Sequence, residues 1–102
     1  MGRFATTPLK VEGRRLRLNL KTPLSGEVRV EVVAITDWVG KKKTERVVEG
    51  RTFDDCDPLS GDRPSQPVTW GGESDLRLPA GAAVRLRFRL RHARLYAFEV
   101  VA

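Results

Sequence analysis

Residues 54–62 read DDCDPLSGD, and four carboxylates around the chain's single cysteine make this its most chemically loaded stretch. Three chemistries use such groups. Calcium takes about six to eight oxygen ligands, and Asp54, Asp55, Asp57 and Asp62 with nearby carbonyls offer several. The spacing nevertheless lacks both the central glycine and the closing glutamate of an EF-hand loop. Glycosidic acid–base work needs two carboxyl groups roughly 5–10 Å apart across a cleft, which neighbouring aspartates on one tight loop do not supply. A cysteine nucleophile needs a base, and the only histidine, His92, lies far along the chain in an expected turn. What does fit is local: Asp57-Pro58 and Ser60-Gly61 favour consecutive turns, with aspartate side chains accepting hydrogen bonds from backbone amides. The expectation is a structural turn with no catalytic residue, no cofactor and no metal. Calcium at Asp54, Asp55, Asp57 and Asp62 is the less favoured alternative.

Two further groupings have chemical potential. Arg85, Arg87, Arg89 and Arg91 alternate with apolar residues, which on a strand sets them about 6.6–6.8 Å apart on one face. That spacing suits phosphate or sulfate groups, so these four are candidate anion-binding residues. Arg15, Arg17 and Arg29 fall on neighbouring outward faces, but Glu12, Glu27, Glu31 and Glu99 lie on the same strands, and a cross-strand ion-pair network is the preferred reading. Nucleic acid is not expected as a partner, since no aromatic-rich strand for stacking bases accompanies the arginines. In the second grouping Trp38 precedes Lys41, Lys42 and Lys43. A tryptophan face can stack on a sugar ring while ammonium groups take acidic substituents, so these four and Trp70 are candidate carbohydrate contacts. A Trp38 folded back onto the protein is an equal alternative, and core or rim packing is the preferred reading of Trp70. Tyr96 reads as buried.

These side chains need elements to hold them, and the sequence reads as strands. Leu16, Leu18 and Leu20 alternate with Arg15, Arg17 and Asn19; Val28, Val30 and Val32 alternate with Glu27, Arg29 and Glu31. Period two means one wet face and one dry. Val84 to Arg91 is the plainest case, and Leu95 to Val101 follows after three residues, which suggests a hairpin. Leu9–Val11, Glu45–Glu49 and Pro67–Trp70 are weaker candidates, with turn signals between Pro23 and Gly26, at Gly71-Gly72 and between Pro79 and Gly81. The expected fold is all-β: one antiparallel β-sandwich, jelly-roll-like, spanning residues 1–102 as a single domain. The 102 residues carry 19 Lys and Arg against 13 Asp and Glu, a net charge of +6 that suits an anionic partner. No stretch has the apolar length of a membrane span or the core of a signal peptide, so a soluble chain without a membrane partner is expected. One cysteine forms no internal disulfide and makes a poor zinc site.

Taken in order, Thr7-Pro8-Leu9, Gly13, Leu16, Leu18-Asn19, Val30-Glu31-Val32, Asp55-Cys56-Asp57-Pro58 with Gly61-Asp62, Val68-Thr69-Trp70, Ser74-Asp75-Leu76, Val84 to Phe88 and Leu95 to Phe98 span nearly the whole chain. This series resembles the C-terminal β-sandwich appended to a group of bacterial proteins whose β-propeller is similar to family 32 and sialidase-like glycoside hydrolases. DCDPLSGD, PVTW and VRLRFRLRHARLYAF carry the likeness best. The resemblance implies a non-catalytic accessory module, with catalysis in a parent propeller and a polysaccharide or oligosaccharide as ligand. It brings no residue-level sugar site. It also implies an extracellular or periplasmic location if that parent is secreted. The stretch near 35–50, which holds Trp38 and the lysines, is an insertion against the common plan. With Met1 opening the sequence and no propeller ahead, an excised domain or a stand-alone version is expected. Two alternatives stay open: a docking domain that binds no sugar, and a domain that binds an anionic polymer through its arginine face.

Overall fold

The computed structural model describes residues 2–6, 8–9, 14–23, 25–78 and 82–101, leaving aside the side chains of Asp37, Trp38, Arg63 and Pro64. Seven strands and no helix occur among them: β1 (Gly2–Ala5), β2 (Arg15–Lys21), β3 (Glu27–Val39), β4 (Lys42–Val47), β5 (Asp62–Pro67), β6 (Ala83–Arg91) and β7 (Arg94–Val101). They form two antiparallel sheets, one ordered β1-β6-β3-β4 and the other β5-β2-β7. β3 and β4 make a hairpin; every other link between consecutive strands crosses from one sheet to the other.

The core follows from the leucine and valine alternations. Leu16, Leu18 and Leu20 of one sheet meet Val28, Val30, Val32, Leu86 and Phe88 of the other, all essentially without solvent contact. Each such side chain contributes about 1.5–3 kcal/mol by leaving water. The register sets Val30 beside Phe88 and Val32 beside Leu86, so neighbouring strands present their apolar residues in the same rows. Phe4, Phe88 and Phe98 continue the packing to one side of the sandwich, with ring centroids 4.7 and 5.5 Å apart.

Three sequence expectations change. β6 and β7 are not a hairpin: β6 pairs with β1 and β3, β7 pairs with β2, and the two residues between them arch across the sandwich. Both strands have an apolar face to bury, and opposing sheets let each bury it against the other. The strand expected at Pro67–Trp70 lies earlier, as β5, with Trp70 reduced to isolated pairings. β5 contains two prolines and is tolerated because it is an edge strand, where a missing N–H breaks no inner ladder. Leu9 contributes an isolated pairing with Val84, and Val11 lies outside the described residues. The stretch near 35–50 is mostly the outer part of the β3–β4 hairpin, with Gly40 taking φ +59° at the turn.

The acidic loop closes an exposed edge of β3. β4 pairs with β3 only from Val33 outward, leaving the inner half of that edge to irregular chain. Val28 exchanges backbone hydrogen bonds with Leu59 at 2.9 and 3.1 Å, and the N–H of Val32 donates to the Arg51 carbonyl at 3.0 Å. Between them the N–H of Val30 donates to Cys56 Sγ at 3.3 Å, and the indole N–H of Trp70 donates to the Val30 carbonyl at 3.0 Å. Two side chains thus stand where a strand would be. This overturns Trp70 as a sugar contact: it is 2% exposed, because its N–H is needed inside.

Candidate functional site

The two outer sheet faces differ in how their charge is matched. On the β1-β6-β3-β4 sheet, Arg85 pairs with Glu45 at 3.2 Å, Arg87 with Glu31 at 3.5 Å and Arg91 with Glu27 at 3.3 Å. Glu27 also takes the Arg29 Nε–H at 2.8 Å, a hydrogen bond that holds its carboxyl below the usual range. Among the described residues Arg89 has no carboxylate within ion-pair distance, and it lies over the Phe53 ring, 5.0 Å from its centroid. The candidate anion-binding row Arg85, Arg87, Arg89 and Arg91 is therefore spent largely on its own sheet. Lys41, Lys42 and Lys43 lie exposed around the β3–β4 turn, Lys43 in a 3.7 Å pair with Glu45, and the Trp38 side chain lies outside the described part of the structure.

The aspartates of the acidic loop are separated by their hydrogen bonds. Asp55 Oδ2 accepts from the Thr52 hydroxyl at 2.7 Å and the Thr52 amide at 3.2 Å. Asp57 Oδ2 accepts from the Thr69 hydroxyl at 2.6 Å and the Gly72 amide at 2.9 Å, tying the loop to the turn that follows Trp70. These bonds hold both carboxyls below the ordinary range. Asp54 is exposed and Asp62 opens β5, opposite Lys21. Among the described residues no three His, Cys, Asp or Glu side chains converge as a metal site. Burial pushes the Cys56 thiol up from its ordinary 9.0 to about 11, which suppresses the thiolate that nucleophilic chemistry requires.

The β5-β2-β7 sheet has a different outer face. β2 turns Arg15, Arg17, Asn19 and Lys21 outward, and both neighbours lose register opposite Asn19. β5 shifts between its pairings with Leu18 and Leu20, and β7 shifts between its pairings with Asn19 and Leu20. On β7 the extra residue is Tyr96. The bulge lets Leu95 and Phe98 both pack on the core and turns Tyr96 out to 59% exposure. The expectation of a buried Tyr96 fails for this reason: alternation counted back from Val100 crosses a one-residue insertion that reverses the phase.

Tyr96 stands between two depressions on this face. One, of about 240 Å³, is bordered by Arg17, Asn19, Ser65, Ala97 and Glu99. There Arg17 is held by Ser65, donating to its hydroxyl at 2.8 Å and its carbonyl at 2.9 Å. The other, of about 650 Å³, is bordered by Lys21, Thr22, Pro23, His92, Arg94 and Tyr96 itself. An apolar groove of about 390 Å³ runs from Tyr96 to Phe4 along the open side between β7 and β1. A planar ring in water, with amide, hydroxyl, guanidinium and ammonium groups on either side, is a surface suited to stacking and hydrogen-bonding a polar ring.

Sequence reasoning missed Tyr96, Arg17, Asn19, Lys21, His92 and Arg94 as a group. One signal was present: Leu95 is apolar and out of phase with Phe98 and Val100, which is how a bulge reads in a sequence. Nothing in the sequence says that β2 and β7 are neighbours. No known family, curated protein or solved structure matches the chain.

Proposed function

We infer that this domain is a non-catalytic sugar-binding module, accessory to a glycoside-hydrolase-like propeller, and that the outer face of the β5-β2-β7 sheet is its ligand face. The observation that carries the reading is the bulge at Tyr96, which spends a register shift to set a tyrosine ring in water between two depressions that polar and charged side chains border. The ring face offers an apolar platform to the C–H face of a pyranose. Asn19, Arg17 and Lys21, one strand away, supply donors and an acceptor to ring hydroxyls.

Calorimetry of the whole chain against neutral and acidic oligosaccharides tests this. Tyr96→Ala is expected to weaken binding about tenfold, the equivalent of roughly 1.4 kcal/mol. Absence of binding to every glycan, or binding that Tyr96→Ala leaves unchanged, refutes it. The groove beside Phe4, itself 45% exposed, favours a second reading in which the sandwich docks on a neighbouring domain and holds no sugar. In that case Phe4→Ser, and no change on the sheet face, disrupts the association with the propeller.

A further inference from the structure

We propose that the sugar taken by this face is anionic, and that its carboxylate or sulfate is bound in the depression formed by Lys21, His92 and Arg94; this rests on the sugar-binding reading above. The first support is the distribution of charge. Arg85, Arg87 and Arg91 are matched by glutamates on the opposite face, whereas among the described residues no carboxylate borders this depression. Lys21 and Arg94 sit directly opposite each other in the ladder, with their backbones about one strand spacing apart, roughly 4.8 Å, so that two cationic side chains leave the same face side by side. Asp62 lies opposite Lys21 on the other side, and among the described residues no ion pair joins the two. Like charges placed across a strand pair repel, and an anion held between them relieves that repulsion.

The second support is that the depression is built to hold its shape. Its two walls are the turn closed by the Gly26 N–H on the Pro23 carbonyl at 2.9 Å and the arch between β6 and β7. They touch so closely that a Cβ on Gly26 would lie 2.5 Å from the His92 carbonyl oxygen and 2.8 Å from that of Arg91. His92 is held at φ +47°, a region costly for a residue other than glycine and one that recurs at binding sites. The Thr22 hydroxyl accepts the Gly61 N–H at 2.8 Å and fixes the floor to the acidic loop. With a volume of about 650 Å³, the depression falls within the roughly 300–1,000 Å³ of small-ligand sites. One exposed ring beside it suits a saccharide unit better than the run of stacked bases that a single nucleic-acid strand presents.

The experiment is calorimetry of the whole chain at low ionic strength with four probes: tetragalacturonate, its methyl ester, a heparin tetrasaccharide and a single-stranded oligonucleotide. Tight binding of either anionic saccharide, at least about tenfold over the ester and weakening as salt is added, is the expected result; tetragalacturonate against heparin distinguishes carboxylate from sulfate. Lys21→Gln and Arg94→Gln should each cost about three- to fivefold on the anionic saccharide and nothing on the ester. Arg46→Gln, which removes the same charge from the exposed β4 strand of the other sheet, should cost nothing. Equal binding of the acid and its ester overturns the anionic assignment while leaving the sugar reading intact. Binding of no saccharide overturns both. An effect of Arg46→Gln equal to that of Lys21→Gln, or tightest binding of the oligonucleotide, overturns the assignment of this depression.

Discussion

Trp70→Phe is the sharpest test of how the sandwich is closed. The substitution keeps an aromatic ring but deletes the N–H that donates to the Val30 carbonyl at 3.0 Å. Val30 has no solvent exposure, so water has no direct path to replace the lost donor. A buried carbonyl left without a partner costs about 1–3 kcal/mol. The smaller ring also leaves a void of roughly 40 Å³, worth about 1 kcal/mol at ~24 cal/mol per Å³. The sum, about 2–4 kcal/mol, is a large part of the roughly 5–15 kcal/mol that holds a domain of this size together. At about 4–8 °C per kcal/mol, Tm should fall by at least ~8 °C. Urea unfolding followed by circular dichroism measures the free energy, and amide exchange at Val30 and Val32 reports whether the edge has opened. A cost below about 0.5 kcal/mol, with unchanged protection at those amides, would refute the idea that the indole stands in for a strand.

Other outcomes follow from the same contacts. Arg51, 2% exposed, donates to the carbonyls of Asp75 at 2.6 Å and Gly50 at 2.8 Å and reaches Glu73 at 3.2 Å. Arg51→Met should destabilise by about 2–3 kcal/mol through the orphaned carbonyls, with Arg51→Lys intermediate in urea titrations because one ammonium cannot span both. Gly26→Ala should cost about 1–3 kcal/mol by overpacking and should weaken anionic ligands together with Tm, since the arch must shift away. The Asp57 carboxyl lies below its ordinary 3.8 because the Thr69 hydroxyl and then the Gly72 amide stabilise its charge. Its contribution to stability is therefore fully present above the unfolded carboxylate value and is lost as pH falls through the lower folded one. Asp57→Asn should flatten the acid limb of a Tm-against-pH curve, and an unchanged limb would contradict this assignment.

The strands that alternate strictly were legible because alternation and burial are the same statement on a two-sided sheet. Leu16 to Leu20, Val28 to Val32 and Val84 to Phe88 all turn their apolar residues to the core as read. β1 and β5 were not legible. β1 is exposed throughout, so it carries no burial pattern, and the prolines of β5 argue against a strand until its edge position is known. Arg51 could not be picked from thirteen other arginines, because what sets it apart is the carbonyls around it. Tyr96 was misread for a simpler reason: a bulge adds one residue, and period-two reasoning has no place for one.

By itself the sequence determined that this chain forms strands, which faces of the regular ones are dry, and that the acidic stretch makes turns. Those properties depend on residues a few positions apart, where side-chain direction follows from backbone geometry. Tertiary structure decided which strands became neighbours, and with that everything bearing on function. It set glutamates beside Arg85, Arg87 and Arg91 and left Lys21 and Arg94 facing each other with no glutamate paired to them among the described residues. It also drew Cys56 and Trp70 inward to close β3, and turned Tyr96 outward. The physical reason is that charge matching, edge closure and exposure are relations between segments distant in sequence. Their energies come into being only when the two sheets pack.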